Sequence, residues 1–333
     1  MTDIPVNPAD RARPWLLVGS LPLLALLGFS QLGVNAPLLI GLVVGIAVFA
    51  LTVWTYYALA RVALMGEYRP IAIASLAALV VTGALNGWTG MWQVATGIAT
   101  IVGGACVLGY LTGRGYRSRS IYIGGAIAVA LLFTLQFGPI WGPLIDSAGT
   151  ASTSALEELK RMMVTFGYSD QQITDNSLAM KRMFEFVIGL MPALTVLSSM
   201  LQFTLGFFLF AWWADRKRPE LGLAVHFDRW RVPFKFTPLL ILAIAAHALG
   251  NETLVLIGRN ILAIMAVYYG VAGLSMVEYY LKKLQLSLGM KILFYLLLFF
   301  TQMVGFAMAA ILGFLDSFFD WRTRTELREQ MEG

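Results

Sequence analysis

Nine apolar runs dominate the hydropathy pattern of this chain, and short polar or basic segments separate them. The runs are continuous rather than alternating, which favours membrane-spanning helices over the strands of a β-barrel. A helix needs roughly 20 apolar residues to cross a bilayer. We therefore predict an all-α, polytopic transmembrane helix bundle of about eight or nine spans. The runs cover residues 15–31, 36–60, 70–85, 91–112, 120–145, 184–214, 236–256, 257–281 and 289–317.

Two of these runs are short. The first contains Pro22, and no good cleavage site follows it, so we interpret it as a retained helix and not as a signal peptide. The third ends at Asn86-Gly87-Trp88, which predicts a tight turn into the fourth run.

Composition supports the membrane interpretation. Hydrophobic residues make up 58% of the chain and charged residues only 13%, with a mean hydropathy of +0.73. Soluble domains carry roughly 25% charged residues. So few charges cannot cover a water-facing surface, and we expect one integral membrane domain over residues 1–333. The net charge of +5 comes from short basic clusters between the runs, a pattern that requires no nucleic-acid partner.

The basic clusters also predict orientation, because cytoplasmic loops are rich in Lys and Arg. Loops 113–119, 215–235 and 282–288 are predicted to be cytoplasmic, in a multi-pass protein of the bacterial inner membrane. Nine spans would place Arg322, Arg324 and Arg328 outside, whereas eight or ten would place them inside. The sequence leaves the side of the C-terminus open.

The one sizeable polar insert, residues 146–182, is predicted to lie outside as two short amphipathic helices. Ser154 and Glu157 fit a capping box. Gly167 is suited to end the first helix, and residues 169–172 are suited to cap a second. The insert is either a solvated connector or a lid over the bundle. Its apolar stripe consists of Leu156, Leu159, Met163 and Phe166.

Polar side chains within the outer halves of the spans are the best candidates for a ligand site, because such groups are costly in hydrocarbon and tend to face a cavity. Their convergence would form a polar pocket open to the outside. Two alternatives remain open. His247 and Asn251 could form a hydrogen bond between helices, and Glu252 and Arg259 could lie in the headgroup layer. The candidate ligand-binding residues are His247, Asn251, Glu252, Arg259, Asn86 and Gln93.

The basic loop 215–235 interleaves aromatic residues with its charges. Trp230 and Arg231 are its candidate partner-docking residues. The alternative is that the loop anchors the protein to anionic lipid, which requires no protein partner.

Enzyme signatures are missing from the sequence. The chain has no zinc-protease, Walker A, serine-hydrolase or Cys-x-x-Cys motif, and its two histidines, His226 and His247, are far apart. We therefore expect no catalytic residues, no cofactor and no metal site.

Five short motifs in the C-terminal half resemble the YybS-like family of bacterial membrane proteins, over roughly residues 60–325. They are Gly189-Leu190-Met191-Pro192-Ala193, Trp230-Arg231-Val232-Pro233, Gly273-Leu274-Ser275, Gly313-Phe314-Leu315-Asp316 and Phe319-Asp320-Trp321-Arg322. That family is similar, more distantly, to the S components of energy-coupling-factor vitamin transporters. The resemblance implies a helix bundle that captures a small solute from outside and works with ABC-type energising subunits.

The functional hypothesis is therefore a membrane-embedded protein that binds a small solute and acts in transport. A different class is close behind: a scaffold or assembly factor that binds another membrane protein and no solute. An intramembrane enzyme is a more distant alternative.

Overall fold

The structure is a computed structural model that describes residues 18–19, 38–137, 141–223 and 225–332. Over these residues the regular elements are α-helices and short 3₁₀ turns, with no strand, which confirms the all-α prediction. Within this described part of the chain, five helices are long and apolar enough to cross a membrane by length and composition. The helices are α1 (Leu38–Leu64), α2 (Tyr68–Gly113), α3 (Ser118–Phe137), α4 (Trp141–Thr165), α5 (Asp170–Lys217), α6 (Thr237–Ala248), α7 (Glu252–Lys283), α8 (Leu288–Phe300), α9 (Gln302–Phe319) and α10 (Trp321–Glu332).

The chain divides into two compact units. The first comprises Met1–Pro143 and Thr195–Val225, and the second comprises Leu144–Leu194 and His226–Gly333. Helix α5 contributes its first half to the second unit and its second half to the first. The apolar pattern indicated one continuous membrane domain and carried no signal for this division, because all the spans have a similar composition.

The first unit packs around Phe203 of α5, which is fully buried. The Phe203 ring lies edge-on to the ring of Tyr56 with centroids 5.6 Å apart, and it also contacts the ring of Tyr122 at 5.9 Å. Glycine makes the room for these rings: a methyl group added at Gly104 would lie 3.2 Å from the Tyr56 ring, and one at Gly125 would collide with Phe203. Small residues thus allow close helix packing here.

Helix α2 reverses direction along its 46 residues. A straight helix of that length would extend roughly 70 Å. Yet a methyl group added at Gly109, near its end, would lie 2.7 Å from the carbonyl oxygen of Ala60 in α1, just before α2 begins. The predicted runs 70–85 and 91–112 are therefore antiparallel. The reversal agrees with the turn predicted between these runs, although the backbone at residues 86–88 is itself helical.

The second unit is organised around α7. Helix α6 approaches the first half of α7 closely, since a methyl group added at Gly258 would lie 2.7 Å from the Ala243 carbonyl oxygen. Helix α9 approaches the second half, where Gly313 lies against the backbone of Tyr269. Side chains would prevent both contacts, so glycine determines how near these helices come.

The apolar run 289–317, predicted as one span, is divided at Thr301 into α8 and α9. Lys291 near the start of α8 lies 3.4 Å from Glu278, while Arg322 beyond α9 donates to Ser275 at 2.9 Å. A straight helix would separate Lys291 from Arg322 by roughly 46 Å. The run therefore returns to the end of α7 from which it departed, and the single-span prediction is wrong.

The insert 146–182 differs in part from its prediction. Helix α4 runs through Ser154, whose hydroxyl donates to the Thr150 carbonyl within the helix, so the capping box predicted there is wrong. Gly167, with φ +76°, follows the end of α4. The cap at Ser169 and Gln172 is confirmed: each backbone N–H donates to the other's side chain, at 3.0 and 3.4 Å. The helix it opens is the 48-residue α5 and not a short one.

Candidate functional site

Three of the predicted ligand residues lie around the turn between α6 and α7. His247, Asn251 and Glu252 are all exposed. Asn251 is the N-cap of α7, because its side-chain oxygen accepts hydrogen bonds from the backbone N–H of Thr253 at 3.0 Å and of Leu254 at 3.3 Å. These capping bonds satisfy the amide oxygen of Asn251, so a ligand is not needed as its hydrogen-bond donor.

Asn260 of α7 binds the backbone of α5 next to Pro192. Its side-chain oxygen accepts from the Ala193 N–H at 2.8 Å, and its amide nitrogen donates to the Gly189 carbonyl, also at 2.8 Å. These two backbone groups pair with each other in a regular helix. Pro192, which lies between them, disturbs the hydrogen-bond ladder. The Asn260 amide therefore satisfies backbone groups at the proline kink.

Arg259 lies beside this kink. Its guanidinium carbon is 5.5 Å from the centre of the Phe186 ring, and a methyl group added at Gly189 would lie 3.2 Å from its Nη1 atom. Among the ion pairs of the residues that the structure describes, none involves Arg259, and Glu252 is not its partner. Its Nε is buried and has no hydrogen-bond partner. Arg259 is thus a half-buried cation that the described chain does not neutralise.

The remaining two candidates, Asn86 and Gln93, lie on α2 in the first unit, and their side chains fall outside what the structure describes. The convergence of all six candidate residues therefore stays a prediction. Phe186 and Gly189 were not among the candidates, although Gly189 and Pro192 belong to one of the motifs that carry the family resemblance.

A second polar cluster, which sequence reasoning missed, surrounds Arg322. This side chain has 0% exposure, and its five N–H groups are all engaged. Nε and Nη2 donate to one oxygen of Asp316 at 3.0 and 2.6 Å. Nη1 donates to the Asp228 carbonyl and the Ser275 hydroxyl, and Nη2 to the Trp230 carbonyl. The other Asp316 oxygen is buried and has no hydrogen-bond partner. A buried ion pair of this kind requires every donor to be satisfied.

The predicted docking residues Trp230 and Arg231 both contact their own chain. Trp230 packs on a buried cluster that includes Met265 and Tyr269, and its carbonyl accepts from Ser275. Arg231 pairs with Asp320 and donates to the Thr323 hydroxyl at 2.7 Å. The Arg231 side chain and the Trp230 carbonyl therefore hold the C-terminal segment, from Asp320 onward, against the loop.

Asp228, in the same loop, forms an ion pair with Lys282 at 2.9 Å. Burial alone raises the pKa of Asp228, but the hydrogen bond and charge of Lys282 outweigh it, so the pKa lies below its ordinary value. This pair fixes the loop to the last turn of α7.

These contacts place the C-terminal segment at the same end of the second unit as residues 228–231. Arg322 and Arg231 both join the two segments directly. Within this unit Arg322 and residues 228–231 of the basic loop therefore lie together, while the side of the membrane that they face stays a prediction. The motifs behind the family resemblance converge at this cluster and at the α5 kink.

No curated protein and no solved structure matches the sequence. A family model does match it, over residues 36–317, which is most of the chain. The match includes both units and ends one residue beyond Asp316. The apolar helices agree with the description of that family, and the chain therefore belongs to the family of predicted membrane proteins DUF2232.

Proposed function

We propose that this protein binds a small anionic solute within the bacterial inner membrane and takes part in its transport, without catalysing a reaction. The observation that carries the proposal is the half-buried guanidinium of Arg259, which has no carboxylate partner among the described residues. A charge within a span is costly unless something satisfies it. A carboxylate or phosphate would neutralise Arg259 and accept hydrogen bonds from its fork of N–H donors.

The surroundings of Arg259 suit such a ligand. The Phe186 ring covers one side of the guanidinium and keeps it in position. Asn260 holds the neighbouring α5 kink in place, so the site is formed before a ligand arrives.

Transport, as opposed to binding alone, is proposed from the resemblance to the YybS-like family and, through it, to S components of energy-coupling-factor systems. On this proposal the protein captures the solute and ABC-type subunits supply the energy. The scaffold alternative would use the basic loop 215–235. We favour solute binding because Trp230 and Arg231 of that loop are occupied by contacts within the chain.

The test is ligand binding by the purified full-length protein in nanodiscs of phosphatidylcholine. A panel of small carboxylates, phosphates, amines and sugars is screened by thermal unfolding, and each stabilising compound is titrated by calorimetry. We expect stabilisation by anions, and Arg259→Gln should weaken binding by about tenfold or more, since hydrogen bonds to a charged group contribute roughly 1.5–3 kcal/mol.

Arg161→Gln, which removes an exposed arginine of α4 in the same unit, is the matched control and should bind as the wild type does. Arg259→Lys should retain part of the affinity because it keeps the charge. The proposal fails if no anion of the panel binds, if Arg259→Gln binds normally, or if Arg259→Gln alters only the retention of lipid.

A further inference from the structure

A continuous aromatic surface lies where the loop meets the C-terminal segment. Phe234 and Phe318 are 55% and 54% exposed, yet their rings contact each other with centroids 5.5 Å apart. Phe318 contacts Phe319 at 5.1 Å, and Phe319 stacks on Trp321 at 5.8 Å. Rings that contact one another in this way and stay exposed form an apolar face on the described part of the second unit.

The charges beside this face are unbalanced. Each of its three carboxylates is already paired with a base of the same unit, and the pairs are Asp316 with Arg322, Asp320 with Arg231, and Asp228 with Lys282. Arg229, Lys235 and Arg324 remain exposed, and the structure records no ion pair for any of them in the part of the chain that it describes. Among the described side chains, this surface therefore carries three positive charges without an ion-pair partner.

Both kinds of residue lie at the ends of apolar helices. Phe234 opens the apolar stretch Phe234–Ala248, and Phe319 closes the stretch Val304–Phe319. Aromatic side chains at such positions lie at the level of the lipid headgroups, and basic side chains just beyond them meet the phosphates. The position of the aromatic face and the excess of positive charge both favour lipid over a soluble partner.

We propose that this loop–C-terminal surface, formed by Arg229, Phe234, Lys235, Phe318, Phe319 and Arg324, is a binding site for the headgroups of anionic phospholipids. The rings insert beside the acyl chains, while the three bases contact phosphate and the additional negative charge. The buried Arg322 network holds the two segments together, so the bases are positioned before lipid binds. The proposal does not depend on the solute site at Arg259.

The test compares lipid selectivity of the full-length protein. Purified protein is reconstituted in nanodiscs with equal amounts of phosphatidylglycerol and phosphatidylcholine, then released, and its bound lipids are counted by native mass spectrometry. The wild type should retain phosphatidylglycerol preferentially. The triple variant R229Q/K235Q/R324Q should lose about tenfold or more of that preference, since each basic residue near an anionic surface contributes appreciably to binding.

A matched triple variant, K160Q/R161Q/R182Q, removes the same charge from exposed positions elsewhere in the second unit and should keep the preference. R229K/R324K, which preserves the charge, should also keep it and shows that substitution at these positions is tolerated. The proposal is overturned if the first triple variant retains its preference, or if the control loses as much. It is equally overturned if the first triple variant loses only a co-purifying protein.

Discussion

At the scale of single residues, Arg322 shows how a fully buried cation is stabilised in this chain. Removal from water costs a guanidinium several kcal/mol, and only a complete set of acceptors offsets that cost. Asp316 provides the charge, while the carbonyls of Asp228 and Trp230 and the hydroxyl of Ser275 provide the remaining acceptors. Three separate segments thus meet at one side chain.

Arg322→Met should destabilise the protein by about 3–5 kcal/mol, because Asp316 would remain as a buried carboxylate without a partner. The double variant D316L/R322M should cost less than the sum of the two single changes, since it leaves no unpaired charge. Unfolding in a mild detergent, followed by tryptophan fluorescence, measures these differences. Arg324→Met is the control: it alters an exposed arginine two residues later and should change stability by less than about 0.5 kcal/mol. Equal effects of the two methionine variants would contradict this account of Arg322.

The sequence predicted little of this cluster, for a physical reason. Arg322 entered the sequence argument as a basic residue that bears on the side of the C-terminus and as part of one resemblance motif, and not as a buried side chain. Two of its acceptors are the backbone carbonyls of residues 228 and 230. Because every residue has such a carbonyl, the sequence does not indicate which ones will accept a hydrogen bond. Burial of the arginine therefore follows from how α7, α9 and the loop pack, and hydropathy alone does not contain that information.

At the scale of elements, continuous apolar runs predicted the helices well, while the breaks were predicted unevenly. Gly167 marks the end of α4, because an achiral residue adopts φ +76° without strain. Thr301 separates α8 from α9. That position holds neither glycine nor proline, so the local sequence did not predict a helix end there. Pro192 did not end α5, because Asn260 from another helix satisfies the backbone at the kink.

The bridge from Asn260 predicts a coupling between two helices. Asn260→Leu should cost about 1–3 kcal/mol, because the N–H of Ala193 and the carbonyl of Gly189 lose a buried partner. In a Pro192→Ala background the cost should be smaller, since α5 then forms a more regular ladder. A double-mutant cycle from unfolding experiments gives the interaction energy directly. An interaction energy near zero would show that the bridge and the proline act independently.

The two predicted helix caps of the insert provide a paired test. Ser169→Ala should destabilise the protein by about 0.5–2 kcal/mol, because Ser169 caps α5. Ser154→Ala should have almost no effect, since Ser154 is an exposed residue inside α4 and alanine favours helix. The same unfolding measurement serves both variants. A larger loss of stability for Ser154→Ala than for Ser169→Ala would contradict the cap assignment and favour a cap at Ser154.

At the scale of the whole molecule, the sequence predicted membrane insertion and helical class correctly, since both follow from composition and run length. The path of the chain was harder to predict. The run 289–317 has the length of one span, but Glu278 and Ser275 hold its two ends at neighbouring positions of α7. Only contacts between distant residues distinguish a returning segment from a crossing one.

Because the run 289–317 returns to the end of α7, the side of the membrane on which the C-terminus lies can be predicted. The loop at Lys235 and the C-terminal segment at Arg324 belong to segments that Arg231 and Arg322 join directly, so both positions should face the same compartment. The excess of basic residues in loop 215–235 predicts that this compartment is the cytoplasm.

The measurement replaces Cys106 by serine and introduces one cysteine at a time at position 235 or 324, followed by labelling with a membrane-impermeant maleimide. Both cysteines should react in inside-out vesicles and neither in intact spheroplasts, whereas a cysteine at exposed Lys160 in the insert should show the reverse. Labelling of positions 235 and 324 from opposite sides would show that the run 289–317 crosses the membrane, and the packing derived for the second unit would then be wrong.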